Sequence, residues 1–179
     1  GKTTVLVARL GYMILCKKIN PSNILSMTFS RQAARDMHRR FCKVFGSQLG
    51  ECVEFRTIHA VANQIIKRYA QLANKIPPKL LEDNKKLIVD ILRNHLEEYP
   101  TDNDIAEAQA AITYIKNMSL SAEEIPEQDF AIDKMECVFE EYQKILSAQR
   151  MMDFDDQVVY AVQLLKALPQ LLAEYHHRF

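Results

Sequence analysis

Apolar residues recur along the chain first at mixed spacings and then at helical spacing alone. Residues 3–18 place Leu6, Leu10 and Met13 on one stripe, widened by further apolar positions, which predicts a well-buried helix ended by Asn20-Pro21. Residues 24–28 are a short apolar run between the Pro21 turn and Ser30, a good helix cap, and read as a buried strand. From residue 31 to 45, Ala33, Ala34, Met37, Phe41, Val44 and Phe45 recur at helical spacing, while Arg35, Arg39, Arg40 and Lys43 fill the other positions. That pattern predicts a basic amphipathic helix. Gly46 and Gly50 punctuate, residues 52–56 read as a second short strand, and Thr57 caps a helix that runs through Ile65 and Ile66 to Tyr69. Helix, strand, helix, strand, helix is an α/β order.

Beyond Ala73 the period changes, no strand pattern appears, and Pro77-Pro78 marks a break. Residues 81–98 align Leu81, Leu87, Ile88, Ile91, Leu92 and Leu96; a helix starting at Thr101-Asp102 aligns Ile105, Ala108, Ile112, Ile115 and Met118. A third helix over residues 130–149 aligns Met135, Val138, Phe139, Tyr142, Ile145 and Leu146. Residues 73–150 therefore predict a small helical domain. After Met152-Asp153-Phe154-Asp155-Asp156, two helices separated by Pro169 reach Phe179. There is no internal repeat and no low-complexity tract.

Composition narrows the class. With 179 residues, 48% hydrophobic and 26% charged, 4 Gly and 6 Pro, the chain is too apolar and too poor in breakers to be disordered, and suits one domain, or one domain with a smaller insertion. No apolar run is long enough to cross a bilayer, since the stretch from Val5 to Cys16 is interrupted by Arg9 and Gly11. Cys16, Cys42, Cys52 and Cys137 lie far apart with no C-x-x-C pair and read as reduced, buried thiols, which fits a cytoplasmic setting. His38, His95 and His176-His177 lack ligand spacing, so no Cys/His metal cage is expected. Charge changes the picture more. The whole chain is neutral, yet residues 1–72 hold 12 Lys or Arg against 3 Asp or Glu, a net of +9, whereas residues 73–150 hold 9 against 16, a net of −7. Positive charge confined to the front points to a polyanion, with a solvated helix face as the plainer account.

Candidate chemistry begins at the first residue. A Walker A loop, G-x-x-x-x-G-K-[ST], wraps phosphates in backbone N–H groups, neutralises them with Lys and holds Mg²⁺ with Ser or Thr. Gly1-Lys2-Thr3 matches only its end, and an ordinary capped helix start would match as well. The match nonetheless opens a helix whose positive N-terminus suits an anion. The first residues carry neither an initiator Met nor a signal-peptide pattern, so the natural start is expected upstream.

Three further segments carry more. Residues 24–37, with Thr28-Phe29-Ser30-Arg31-Gln32-Ala33-Ala34-Arg35-Asp36-Met37, resemble motif Ia, T-F-T-N-K-A-A-x-E-M, of the UvrD/Rep-like superfamily 1 DNA helicases. Arg56-Thr57-Ile58-His59 is similar to motif Ib, T-F-H, and Met152-Asp153-Phe154-Asp155-Asp156 to the M-D-F-D-D segment where that family's chain returns from a helical insertion. Residues 168–179 look like the helix before the family's D-E-x-x strand.

The resemblance covers nearly the whole chain. It implies an α/β fold: part of a RecA-like P-loop NTPase domain over residues 1–72, an inserted all-α subdomain over 73–150, and a return over 151–179. It implies ATP and Mg²⁺ as cofactors, with Gly1, Lys2, Thr3 and Thr4 at the phosphates and Thr3 on the metal. Single-stranded DNA is the implied partner, lined by Thr28, Phe29, Ser30, Arg31, Thr57 and His59. An exposed aromatic there would stack on a base, the alternative being that Phe29 is core. Arg31-Gln32 in place of Asn-Lys, Ser30 in place of Thr and Ile58 in place of Phe depart from the motifs, and Ile58 cannot stack. Asp153, Asp155 and Asp156 either hold a metal or, more simply, cap a helix from Gln157. The catalytic carboxylates and the further helicase domains are expected in the same parent protein beyond Phe179, leaving the chain alone inactive in DNA repair or unwinding. A non-catalytic nucleic-acid or protein binding module, and another P-loop enzyme such as a nucleotide kinase, are the other readings; the kinase would lack motif Ia.

Overall fold

In the computed structural model, which describes residues 1–179, helix α1, Lys2–Leu15, buries Val7, Leu10 and Ile14, whereas Leu6 of the expected stripe is exposed and Met13 half-buried, so the helix is covered on one face only. Gly11 lies on the same face, where an added Cβ would come 2.0 Å from Phe45 Cζ, so only glycine allows this approach. The Asn20 side chain accepts the Ser22 N–H and caps a single 3₁₀ turn, Pro21–Asn23, which leads into strand β1, Leu25–Thr28. Helix α2, Arg31–Phe45, turns Ala34, Met37 and Phe41 inward and its arginines outward. A short helix α3, Ser47–Cys52, precedes strand β2, Glu54–Thr57, and helix α4, Ile58–Leu72. β1 and β2 pair in parallel, from Leu25 opposite Glu54 to Thr28 opposite Thr57. Val7, Leu10, Ile14, Ile24, Met37, Phe41 and Val53 form the core beneath them. Phe41 is fully enclosed, a burial worth about 1.5–3 kcal/mol.

The chain divides into two compact units, one of Gly1–Ala73 with Ala161–Phe179 and one of Asn74–Tyr160. Residues 151–160, read from the sequence as part of the return, fall in the second unit. That unit holds helices α5, Lys85–His95, α6, Asp102–Met118, and α7, Met135–Ala148, around a core that includes Ile88, Leu92, Ile112, Ile115, Val138 and Tyr142. Helix α8, Phe154–Ala167, runs from the second unit into the first, where α9, Pro169–Arg178, follows. The molecule is mostly helical, with two small parallel sheets.

Several expectations are corrected. Residues 47–52 form a helix where Gly46 and Gly50 predicted only a break: Gly46 turns the chain at φ 91°, and Gly50 sits where a Cβ would be 2.1 Å from Cys42 Sγ. Gly46 thus serves the turn and Gly50 the close contact of α3 with α2, and β2 starts later, at Glu54. Beyond Ala73, where no strand was expected, β3, Lys79–Leu80, pairs in parallel with β4, Met151–Met152. That pairing takes the Leu81 N–H to the Met152 carbonyl, and the Asp83 carboxylate takes the Lys85 N–H, so α5 starts at Lys85 and not at residue 81. Likewise Lys134, at φ 54°, delays α7 to Met135. The four cysteines are free thiols, but Cys16, Cys52 and Cys137, each at or near a helix end, are exposed, and Cys42 is half-buried against Gly50. No helix is long and apolar enough to cross a membrane.

Candidate nucleotide and nucleic-acid site

Parallel pairing in register brings the two strands to an end side by side, with Thr28 opposite Thr57. Each strand then leads into a helix from that edge: Phe29, Ser30 and Arg31 follow Thr28, and Ile58 and His59 follow Thr57. Ser30 caps α2, its Oγ accepting the Ala33 N–H at 3.1 Å, and Thr57 caps α4, its Oγ1 accepting the Ala60 N–H at 3.1 Å. A hydroxyl that accepts still has its own proton to donate. Thr28 differs, since its Oγ1 donates to the Ser30 carbonyl at 3.1 Å and braces the turn. Phe29 is 86% exposed and therefore not core. Arg31 is exposed, whereas Ile58 and His59 are half-buried in the first turn of α4.

The other candidate group opens α1. Gly1 caps the helix with no side-chain hydrogen bond, the first turn holds no acidic residue, Lys2 and Thr4 are exposed and Thr3 is half-buried. An uncapped positive helix end beside a lysine suits an anion.

The carboxylates of the M-D-F-D-D segment have a different setting. Asp153 caps α8: its Oδ1 accepts the Asp156 N–H at 2.9 Å, and Asp156 Oδ2 accepts the Asp153 N–H at 3.3 Å. The helix accordingly starts at Phe154, three residues ahead of the expected Gln157. The Lys116 ammonium stands 2.5 Å from Asp153 Oδ2 and 2.8 Å from Asp156 Oδ1, with its side chain 4% exposed. Tyr142 donates its hydroxyl to Asp153 at 2.8 Å and accepts from Asn84 at 3.2 Å, while Thr113 donates to Asp155 at 2.8 Å. Burial pushes the Asp153 carboxyl up, but the Asp156 N–H and the Lys116 ammonium outweigh it and hold it below the usual range; burial raises Tyr142 far above its own. A lysine holds the place a metal would take, and no group of three or more His, Cys, Asp or Glu converges anywhere. Sequence reasoning missed Lys116, whose signal was a lone lysine next to Ile112 and Ile115 on the apolar stripe of α6.

The whole of residues 1–179 matches the UvrD/REP helicase N-terminal domain. The chain belongs to the UvrD/REP helicase family. It is 30% identical over 190 aligned positions to the ATP-dependent DNA helicase PcrA of Staphylococcus aureus, covering all of this chain and 25% of that protein. It is 28% identical to the ATP-dependent DNA helicase UvrD1 of Mycobacterium leprae, covering all of this chain and 24% of the relative. This UvrD/REP family chain thus spans about a quarter of the length of the curated relatives it matches.

Proposed function

We propose that the chain is the part of an ATP-dependent DNA helicase, acting in the cytoplasm, that engages nucleotide phosphates at Gly1, Lys2, Thr3 and Thr4 and single-stranded DNA at Thr28, Phe29, Ser30, Arg31, Thr57 and His59. The first unit is read as part of a RecA-like domain and the helical unit as its insertion. The observation that carries the reading is the register of Thr28 against Thr57, which brings both candidate DNA segments to one sheet edge. An exposed aromatic, two hydroxyls with protons to donate and an unpaired arginine are groups that stack on bases and bind phosphate.

The nucleotide reading has support of its own. Gly11 lets α1 pack closely against Phe45 of α2, which fixes the helix to the same core as the two strands. The uncapped amides at the start of α1 and Lys2 fit a phosphate. Mg²⁺ fits less fully, since Thr3 would supply one oxygen and the phosphates and water the rest. Nucleotide hydrolysis also needs an oriented water and cationic stabilisation of the transition state, and we assign those groups to the longer protein. Phosphate release by this chain with saturating single-stranded DNA should stay below about 1 s⁻¹, under ordinary enzyme rates.

DNA binding is tested directly by fluorescence anisotropy with labelled oligothymidylate. Affinity should fall with salt at a log-log slope of roughly −0.7 per phosphate neutralised. Phe29→Ala should weaken binding by about 1–3 kcal/mol with the circular dichroism spectrum unchanged. Salt-independent binding, or a Phe29→Ala variant that binds as tightly as the parent, would overturn the reading.

A further inference from the structure

The first unit has only four acidic residues, Asp36, Glu51, Glu54 and Glu174. Three are already engaged: Asp36 pairs with Arg39 at 2.7 Å, Glu54 with both Arg56 and Arg178, and Glu174 with Arg68 at 2.7 Å. The remaining cations on α2, which are Arg31, Arg35, Arg40 and Lys43, are exposed and have no carboxylate within ion-pair reach. They do not share one face. The inward residues Ala34, Met37 and Phe41 set the buried direction, and at 100° per residue Arg31 and Arg35 lie on one flank, whereas Arg40 and Lys43 lie across the outer face and beyond it. The flank of Arg35 rims an open cleft of about 410 Å³, whose lining includes His38 of α2 and Val53, Glu54, Phe55 and Arg56 leading into and along β2. No third strand pairs with β2.

We propose that the nucleic-acid surface continues from the strand ends onto this flank of α2, with Arg35 the next backbone-phosphate contact after Arg31. The inference rests on the single-stranded DNA reading of the strand ends and extends it to a named residue and direction. Arg31 and Arg35 are about 6 Å apart along the helix axis, close to the rise of two stacked nucleotides at about 3.4 Å each. The Arg35 guanidinium folds back on the Arg31 carbonyl at 3.4 Å, a long contact that a charge-assisted bond to phosphate would replace. Glu51, which also lines the cleft, disfavours a phosphate inside it, so the backbone follows the rim.

The test compares the chain with Arg35→Gln, Arg35→Lys and Lys43→Gln, using oligothymidylate of about a dozen nucleotides, within the range of single-strand site sizes. Arg35→Gln should reduce the magnitude of the salt slope by about 0.7, so that it loses roughly two- to threefold less affinity than the parent between 50 and 200 mM salt. Arg35→Lys should restore the parent slope, and Lys43→Gln should keep it. Equal slopes for Arg35→Gln and Lys43→Gln would overturn the proposed track while leaving binding at the strand ends intact. Absence of salt-dependent binding by the parent chain would instead overturn the DNA reading on which the track rests.

Discussion

Ser30 and Thr57 each serve a helix cap with one lone pair and keep a hydroxyl proton for a ligand, which makes simple truncation ambiguous. Ser30→Ala should cost about 1 kcal/mol of stability through the lost cap as well as weakening DNA binding. Ser30→Asp separates the two, because aspartate caps equally well but has no proton to donate and repels phosphate. Its urea midpoint should match that of the parent while its oligothymidylate affinity falls; unchanged affinity would remove Ser30 from the site. Lys116 is the buried cation that pairs two carboxylates of the second unit. Lys116→Ala would leave Asp153 and Asp156 without their cation in a buried position, at a cost of about 3–5 kcal/mol readable in urea unfolding. The pH dependence follows from the same contact. Asp153 titrates lower folded than unfolded, so its contribution is present above about pH 4 and lost as pH falls through the lower, folded value. Asp153→Asn should therefore flatten the decline of the urea midpoint with pH below about 4.

Elements with a long apolar period were legible in the sequence, because apolar positions that recur on one face over three or more turns are best buried by a helix. α2, α4 and α6 match their expected spans closely. Short elements were not. β3 and β4 are two residues each and join positions some seventy residues apart, through bonds such as Lys79 N–H to the Arg150 carbonyl at 2.9 Å, for which no local pattern exists. α9 shows which contacts hold an element. Leu171 is 1% exposed, whereas the bidentate Arg68–Glu174 pair linking α9 to α4 is half-exposed on both sides and screened by water. Leu171→Ala should lower stability by about 2–5 kcal/mol, while Glu174→Gln should leave the thermal midpoint unchanged within error; the reverse ranking in thermal unfolding would show that the ion pair holds α9.

Across the whole molecule the charge division becomes sharper than the linear count suggested. The first unit carries 14 Lys or Arg against 4 Asp or Glu, a net of +10, and the second 9 against 19, a net of −10. The difference arises because residues 151–160, with Asp153, Asp155 and Asp156, belong to the second unit and Lys166 and Arg178 to the first. A polyanion is attracted to one unit and repelled by the other. Photocrosslinking of bound oligothymidylate should therefore label residues 1–73 and leave 74–160 unlabelled, and crosslinks concentrated in the helical unit would reverse the assignment.

The sequence by itself determined the α/β order of the front, the mainly helical character of residues 73–150, the basic front and the motif residues, since each is written in local periodicity or residue type. Only the tertiary structure decided how those residues are used. Register between β1 and β2 set Thr28 beside Thr57, the exposure of Phe29 excluded it from the core, and the arrival of Lys116 made Asp153 and Asp156 a cap and a buried ion pair while Asp155 went to Thr113. These outcomes depend on partners dozens of residues away, and a buried charge is stable only where the fold supplies its counter-charge.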